Sequence, residues 1–321
     1  MGTATSGRVP LLERQLLFVT GKGGVGKTTV ASALAVLAAS QGLRTLVCEV
    51  DAKGSLSQFI GADELRFEAR QVTPGLFAMA MDTEESLKEY LRLQLRVPLL
   101  TRLGPLARTF DFVATAAPGV KEILTVGKLC WEVKERHYDL VIVDASATGH
   151  VVGQLASPVA MADLVRVGLV RQQTEWMIDI LTDPARTGVV VVTTPEEMPV
   201  NETLELIHRL GDETSIDLAG LVANRVLPEL FTRAEEATFD RLDSAAGRRS
   251  LVASIGEGAL DVIDGARLAV TLRRGASQHL DRLRTEIPSG VPLLYLPYLF
   301  TRTHGVRVTR QVADLLADEL L

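Results

Sequence analysis

The segment Gly21–Thr28, with the sequence GKGGVGKT, constrains this chain more than any other feature. It fits the pattern G-x-x-x-x-G-K-[ST], in which glycines let backbone N–H groups turn inward around phosphate oxygens. Lys27 is placed to neutralise the β- and γ-phosphates, and Thr28 to offer its hydroxyl to magnesium. An apolar run precedes the loop and an Ala-rich helical pattern follows it. The sequence therefore predicts a strand–loop–helix unit that binds the phosphates of ATP or ADP together with Mg²⁺.

The same loop also satisfies the dinucleotide pattern G-x-G-x-x-G through Gly21, Gly23 and Gly26. Glu49 and Asp51 end the next apolar run, near the place where a dinucleotide fold keeps its ribose-binding acid. However, a dinucleotide-binding helix begins with small or apolar residues where this chain has Lys and Thr. The P-loop interpretation is favoured, and a nicotinamide or flavin enzyme and a simple Gly-rich turn remain the alternatives.

Short apolar runs alternate with longer helical patterns along the chain. Runs that are apolar on both faces and separated by helices are typical of a parallel sheet covered on both sides. With right-handed crossovers they predict an α/β fold with a doubly wound, mostly parallel sheet, to which helical segments are added. The predicted strands are 16–20, 43–50, 75–81, 138–144, 188–194, 218–224 and 291–297. We expect residues 1–14 to be a disordered lead-in and residues 15–321 to form one domain, with added helical segments at about 84–136, 151–182 and 229–284.

Composition excludes several classes of protein. Hydrophobic residues make up 47% of the chain, enough for a large core, and the net charge of -6 does not favour nucleic acid as a partner. The two cysteines are far apart and match neither a disulfide framework nor a C-x-x-C metal site. The first fourteen residues lack the apolar core of a signal peptide, and the apolar stretch 151–170 carries Asp163 and Arg166. We therefore expect a cytoplasmic protein without an integral membrane segment.

Two acids end predicted strands, where ligands of parallel sheets bind. Asp51 precedes the turn DAKG, and we predict that it orients the attacking water and helps to hold magnesium; a helix cap for Ser55–Phe59 is the alternative. Asp144 ends YDLVIVD in the manner of a Walker B acid, and we predict that it holds magnesium together with Thr28. The segment ASATGH follows, in which His150 is either a sensor of the γ-phosphate or a surface histidine.

Lys22 is a second lysine at the start of the phosphate loop. The sequence KGGVGKT resembles the deviant Walker A motif, whose first lysine reaches the nucleotide of the partner subunit across a dimer interface. This resemblance gives Lys22 the role of an arginine finger, which stabilises charge on the transferred phosphoryl group. The alternative is a solvated lysine in a turn.

Taken together, the motifs resemble those of the ArsA-type ATPases, which include the arsenite-pump ATPase and the ATPase that targets tail-anchored membrane proteins. The resemblance rests on GKGGVGKTT at Gly21–Thr29, Asp51 with Ser55–Ser57, PGVKE at Pro118–Glu122, DASATGH at Asp144–His150 and the segment Asp183–Thr203. It implies a Mg²⁺-dependent ATPase that acts as a homodimer or a paired heterodimer. The implied catalytic residues are Asp51 and Lys22, and the implied magnesium residues are Thr28, Asp51 and Asp144. The implied nucleotide-binding residues are Gly21, Lys22, Gly23, Gly24, Val25, Gly26, Lys27, Thr28, Thr29, Asn224, whose amide recognises adenine, and Pro297, which walls the base.

The chain departs from the family pattern at several places. It has DAKG where the family has DPAH, and DASATGH where the family has DTAPTGH. It has neither the metalloid-binding cysteines of the arsenite-pump members nor the C-x-x-C zinc clasp of the eukaryotic targeting factor, so arsenite transport is not expected.

A targeting member would need a groove for a hydrophobic client helix. The apolar residues of Val151–Thr182 are interpreted as core and dimer packing or, alternatively, as an abbreviated client groove helped by a helix around Leu87–Leu106. We expect a targeting or chaperone-like factor for membrane-protein segments. An ATPase subunit of an anion-handling complex and a partition- or septum-type positioning ATPase are the alternatives.

Overall fold

The computed structural model describes residues 8–51, 54–95, 119–165, 167–229, 231–301 and 305–320. Each apolar run that the sequence predicts as a strand contains a strand. The strands are β1 (Leu16–Gly21), β2 (Thr45–Glu49), β3 (Arg70–Thr73), β4 (Leu76–Ala80), β5 (Leu140–Ala147), β6 (Thr187–Thr193), β7 (Leu218–Val226) and β8 (Leu293–Pro297). They build one sheet in the order β3-β4-β2-β5-β1-β6-β7-β8, in which all neighbours are parallel except β3 and β4. The predicted doubly wound α/β fold is confirmed.

Helices cover both faces of the sheet. They are α1 (Lys27–Ser40), α2 (Ser55–Ile60), α3 (Thr83–Leu95), α4 (Val120–Lys134), α5 (Thr148–Leu164), α6 (Leu169–Leu181), α7 (Glu197–Glu213), α8 (Arg233–Leu242), α9 (Ala245–Ile255), α10 (Gly258–Glu286) and α11 (Val306–Leu320). One core layer joins the sheet to α1, α2 and α11, and the other joins it to α4–α7 and the end of α10. Of the helices described, none is both long and apolar enough to cross a membrane.

The stretches predicted as added helical segments contain several of these helices. Helices α3 and α4 overlap the predicted segment 84–136, α5 and α6 overlap 151–182, and α8, α9 and α10 overlap 229–284. A small separate cluster of Phe239, Ile263 and Val270 holds the last group together. The predicted helix around Leu87–Leu106 is described only as far as Leu95, and its continuation at 96–106 lies outside the described residues, as does Pro118.

The expectation of a disordered lead-in through residue 14 is wrong for residues 8–14. Leu11 is buried in a short 3₁₀ helix, and the Arg14 side chain that follows it is also buried. Its Nη1 donates to the carbonyl of Thr187 at 2.8 Å, and its Nη2 pairs with Asp217 at 2.7 Å. A buried cation needs such partners, and together they tie this segment to β6 and β7.

The strand β3 was not predicted from the sequence. Its residues are largely exposed, so it lacks the continuous apolar run that marks the other strands. It pairs antiparallel with β4 through the turn at Pro74-Gly75, and it forms the edge of the sheet. Such an edge strand has a solvated face and can carry polar side chains such as Arg70 and Gln71.

Candidate nucleotide-binding site

The phosphate loop occupies the turn between β1 and α1 at the centre of the sheet. Gly21 ends β1 with φ 150°, and a Cβ there would lie 2.1 Å from the carbonyl oxygen of Val192 on β6. Gly26 has φ 100° just before α1, and a Cβ there would lie 2.3 Å from Nδ2 of Asn224. Only glycine fits these two positions, because a side chain would meet both an unfavourable backbone conformation and a close neighbour.

The remaining residues of the loop face the crevice at the carboxyl ends of the strands. Gly23 and Gly24 are exposed, Val25 is buried, and Lys27, Thr28 and Thr29 are half-buried in the first turn of α1. The N-terminus of α1 has no side-chain cap, so its first N–H groups are directed toward the loop. A helix N-terminus of this kind favours a phosphate group.

Thr28 and Asp144 are brought together as the sequence predicts. Thr28 Oγ1 donates a hydrogen bond of 2.7 Å to Asp144 Oδ2, and Asp144 Oδ1 is buried without any hydrogen-bond partner. Burial raises the pKa of Asp144 from its ordinary value of 3.8 to about 6, even though the Thr28 hydrogen bond and the Lys27 charge act against the rise. A buried carboxylate with an oxygen to spare is suited to a cation.

Glu49 is a second buried carboxylate beside Asp144. The two residues are register partners on the adjacent strands β2 and β5, and Glu49 is only 2% exposed. Its Oε1 accepts hydrogen bonds from the start of α2, and its Oε2 is buried without a partner. The sequence suggests Glu49 only as a ribose-binding acid, whereas the register of β2 with β5 places it beside Asp144, the partner of Thr28.

These residues fit a hydrated magnesium ion. Magnesium is usually held by one or two carboxylates and substrate phosphates, and it keeps several waters. Thr28 supplies a hydroxyl, and Asp144 and Glu49 each supply a buried oxygen without a donor. In the described part of the chain no three His, Cys, Asp or Glu side chains form a group that could hold a metal ion by themselves.

Asp51 lies at the end of β2, exposed and directly before residues 52 and 53, which are outside the described part. Its negative charge adds to the rise in the pKa of Asp144, so the two carboxylates are near enough to interact. His150 is exposed in the first turn of α5, whose N-cap position, Ala147, makes no side-chain hydrogen bond. Asp51 and His150 thus both follow the carboxyl ends of adjacent parallel strands, β2 and β5.

Lys22 is engaged within its own chain. Its Nζ lies 2.6 Å from Oε1 of Glu202 on α7, and both side chains are about one-third exposed. Lys27 Nζ lies 3.3 Å from the carbonyl oxygen of Lys22. An ion pair this exposed is worth at most about 1 kcal/mol, so Lys22 can exchange Glu202 for another anion at little cost.

Asn224 lies on the other side of the loop. Its Nδ2 donates to the carbonyl of Val25 at 2.7 Å, and its Oδ1 accepts from the backbone N–H of Arg225 at 2.9 Å. Arg225 has φ 58°, an uncommon conformation for a residue other than glycine. The structure therefore gives Asn224 a role that the sequence did not suggest, which is to hold the phosphate loop.

Pro297 ends β8, next to β7, where it is the register partner of Val226. It is followed by two exposed aromatic residues, Tyr298 and Phe300, whose ring centroids are 4.9 Å apart. The end of β8 and Asn224 therefore share one edge of the crevice, on the opposite side of the loop from Asp144.

Comparison with known proteins gives one family. The family model of the ArsA ATPases, described as anion-transporting ATPases, matches residues 14–173 and 166–242. The ATPase BagA of Mycobacterium tuberculosis is 29% identical over 88% of this chain and 87% of its own length. A putative arsenical pump-driving ATPase of Halobacterium salinarum is 29% identical over 86% of this chain and 44% of its own. The ATPase ASNA1 homolog 1 of Paramecium tetraurelia is 30% identical over 68% and 77%.

Proposed function

The chain belongs to the ArsA ATPase family and is an ATPase, and from this starting point we propose that it is a Mg²⁺-dependent dimeric switch that handles hydrophobic segments of membrane proteins. The dependence on Mg²⁺ is proposed from one observation. Thr28 donates a hydrogen bond to the buried Asp144, whose second carboxylate oxygen has no donor. This pair would hold magnesium, which supplies charge neutralisation to the phosphates when bound.

The protein's own residues would divide the remaining work. The N–H groups of Gly23–Thr29 and the Lys27 ammonium would bind the phosphates, and Asp51 would orient the attacking water. Asn224 has one N–H and one oxygen lone pair left for adenine after its two contacts within the chain. Pro297 and the aromatic residues after it would border the base.

Two variants test this division of roles. Lys27→Ala should abolish nucleotide binding, because it removes the positive charge that the motif places after Gly26 to neutralise the phosphates. Asp51→Asn should bind ATP normally but lower turnover by at least about 100-fold, in the range found when water-orienting groups are removed. Binding is measured with a fluorescent ATP analogue and turnover by phosphate release. Normal hydrolysis by Asp51→Asn would refute the role given to Asp51.

The dimeric part of the proposal rests on Lys22. Closure of a dimer would transfer Lys22 from Glu202 to the nucleotide of the partner subunit, at a cost of at most about 1 kcal/mol. Sedimentation velocity of the Asp51→Asn variant should show a dimer with ATP and a monomer without it. A monomer under both conditions would contradict the switch.

The client part of the proposal rests on an apolar cavity in the helical layer. The cavity has a volume of about 410 Å³ between α3, α4, α5 and α6. Its wall includes Leu87, Ile123, Leu124, Trp131, Met161, Trp176 and Met177. A four-turn helix fills roughly 2,000 Å³, given a diameter of 10–12 Å. The cavity is therefore sized for a few anchoring side chains of a client helix, which is how such helices usually dock in grooves.

A pulldown of apolar helical peptides with the Asp51→Asn variant loaded with ATP tests the client proposal. The substitution Leu124→Trp, which fills the cavity, should lower capture at least fivefold. Leu268→Trp, at an exposed position on α10, is the matched control and should leave capture unchanged. Equal capture by both variants, or none by the parent, would refute the assignment of this cavity.

Metalloid handling lacks comparable support, although three of the similar proteins are named arsenical pump-driving ATPases. The two cysteines of the chain, Cys48 and Cys130, are fully buried in the core, and burial raises the pKa of both thiols far above the ordinary value. A soft metalloid binds to exposed thiolates, which these residues do not offer.

A further inference from the structure

Glu49 performs a structural task that is unusual for a residue at the end of a strand. Its Oε1 accepts three hydrogen bonds from the start of α2: from Ser55 N at 3.0 Å, Ser55 Oγ at 3.0 Å and Leu56 N at 3.3 Å. Gly54, at the N-cap position, has no side chain with which to do so. Glu49 therefore caps α2 from outside the helix, and its negative charge suits the positive end of the helix.

The second oxygen of Glu49 has no such explanation. Oε2 is buried and accepts no hydrogen bond, and the same holds for Oδ1 of Asp144. Glu49 and Asp144 are register partners on adjacent parallel strands, so their side chains lie on the same face of the sheet, with backbones about 4.8 Å apart. This is the face covered by α1, which carries Thr28. Two buried carboxylates side by side are costly without a cation between them.

We propose that Glu49 is a positioning residue that holds the hydrated magnesium ion together with Asp144 and transmits the presence of the ion to α2. This inference rests on the proposed function, because it requires a Mg²⁺-nucleotide complex at Thr28. Waters bound to magnesium donate strong hydrogen bonds, and the free oxygens of the two carboxylates are acceptors without donors.

The coupling follows from the connection between the two ends of one short segment. Residues 50–54, which include Asp51, run from the backbone of Glu49 to Ser55, and the Glu49 carboxylate joins these two ends directly. Any change that metal binding makes in the Glu49 carboxylate acts on both ends of this segment. The position of Asp51 would then depend on whether the magnesium ion is bound.

The test compares Glu49→Gln with Ser55→Ala in the full chain. Gln keeps an oxygen that can cap α2 but loses the charge, whereas Ser55→Ala removes one donor to Oε1 and keeps both carboxylates. A non-hydrolysable ATP analogue is titrated in EDTA, and Mg²⁺ is then titrated into the loaded protein. In EDTA, we expect the affinity of Glu49→Gln for the analogue to be within about twofold of that of the parent. Its affinity for Mg²⁺ should be about 10–100-fold lower, which is the usual loss when a residue that hydrogen-bonds to a metal ligand is removed. Ser55→Ala should bind Mg²⁺ like the parent.

Hydrogen exchange of Ser55–Ile60 supplies the second measurement. In the parent and in Ser55→Ala, adding Mg²⁺ to the loaded protein should slow exchange in α2 at least threefold, and this effect should be absent in Glu49→Gln. Unchanged Mg²⁺ affinity in Glu49→Gln would overturn the inference. Hydrogen exchange in α2 of the parent that does not slow when Mg²⁺ is added would also overturn it, and this second outcome can be measured even if the variant fails to fold. If the parent does not bind the analogue under any condition, the proposed function fails as well.

Discussion

Replacing Asp144 with Asn should stabilise the nucleotide-free protein and at the same time inactivate it. Asp144 is 7% exposed, and burial raises its pKa from 3.8 to about 6, so keeping it ionised at neutral pH is costly for the folded state. This rise is worth about 3 kcal/mol, at 1.36 kcal/mol for each pKa unit. Asn has the same shape and can still accept the hydrogen bond from Thr28. We therefore expect Asp144→Asn to raise the free energy of unfolding by up to about 3 kcal/mol, and Tm by several degrees.

The pH dependence has a definite sign. The folded pKa lies above the unfolded value, so the folded state binds the proton more tightly, and ionisation of Asp144 destabilises it. The penalty is fully present above about pH 6, decreases as the pH falls, and vanishes below about pH 3.8, where the acid is protonated in both states. The advantage of the Asn variant should therefore be largest at pH 8 and mostly lost by pH 4.5.

Urea unfolding in EDTA at these two pH values measures the effect. Asp163→Asn, at an exposed position on α5, is the matched control and should change the free energy of unfolding by less than about 0.5 kcal/mol. With Mg²⁺ and ATP the order should reverse, because only the parent gains the binding energy of the metal complex. An Asn variant no more stable than the parent at pH 8, or an advantage independent of pH, would show that burial of this charge is not a cost to the fold.

Two further predictions concern the loop and its lysine. Gly26→Ala should cost about 1–3 kcal/mol of stability and weaken nucleotide binding at least tenfold in fluorescence titrations, because its Cβ would displace the Asn224 amide. Gly23→Ala is the control and should leave stability nearly unchanged, because nothing lies within 4 Å of its new Cβ. Glu202→Gln should change stability by less than about 1 kcal/mol but strengthen ATP-dependent dimerisation several-fold in sedimentation velocity, because it frees Lys22; weaker dimerisation would show that Glu202 assists closure.

The strands of the sheet could be predicted because burial on both faces imposes continuous apolar runs. β1, β2 and β4–β8 correspond to such runs, and the parallel order follows from the helices between them. The edge strand β3 was missed because exposure removes that constraint, although the Pro74-Gly75 turn beside it is a usable signal. The order along residues 8–14 was missed because it depends on Arg14 reaching Asp217, more than 200 residues away.

The candidate site was predictable where chemistry fixes the residue type. A phosphate loop needs glycines at positions where φ is above zero, and it needs one lysine and one threonine at fixed spacing. These requirements produce a short pattern that can be recognised in the sequence. The contacts of Glu49 leave no pattern in the sequence. Glu49 and Asp51 are two acids only two residues apart, and their roles can be told apart only from the register of β2 with β5. The pairing of Lys22 with Glu202 was likewise unpredictable, because it joins the loop to a helix 180 residues later.

Asp144, Asn224 and Glu202 each contact a different residue of the phosphate loop, and these contacts differ in whether they can persist when nucleotide binds. Asp144 holds Thr28 with one oxygen and keeps the other free, and Asn224 holds Val25 while keeping one N–H and one lone pair. These two contacts can persist when ligands bind beside them. The contact of Lys22 with Glu202 cannot, because the same ammonium cannot hold Glu202 and reach another subunit. A single chain can therefore accept a nucleotide with little change in the contacts of Thr28 and Val25, whereas the dimer closure proposed above would require Lys22 to leave Glu202.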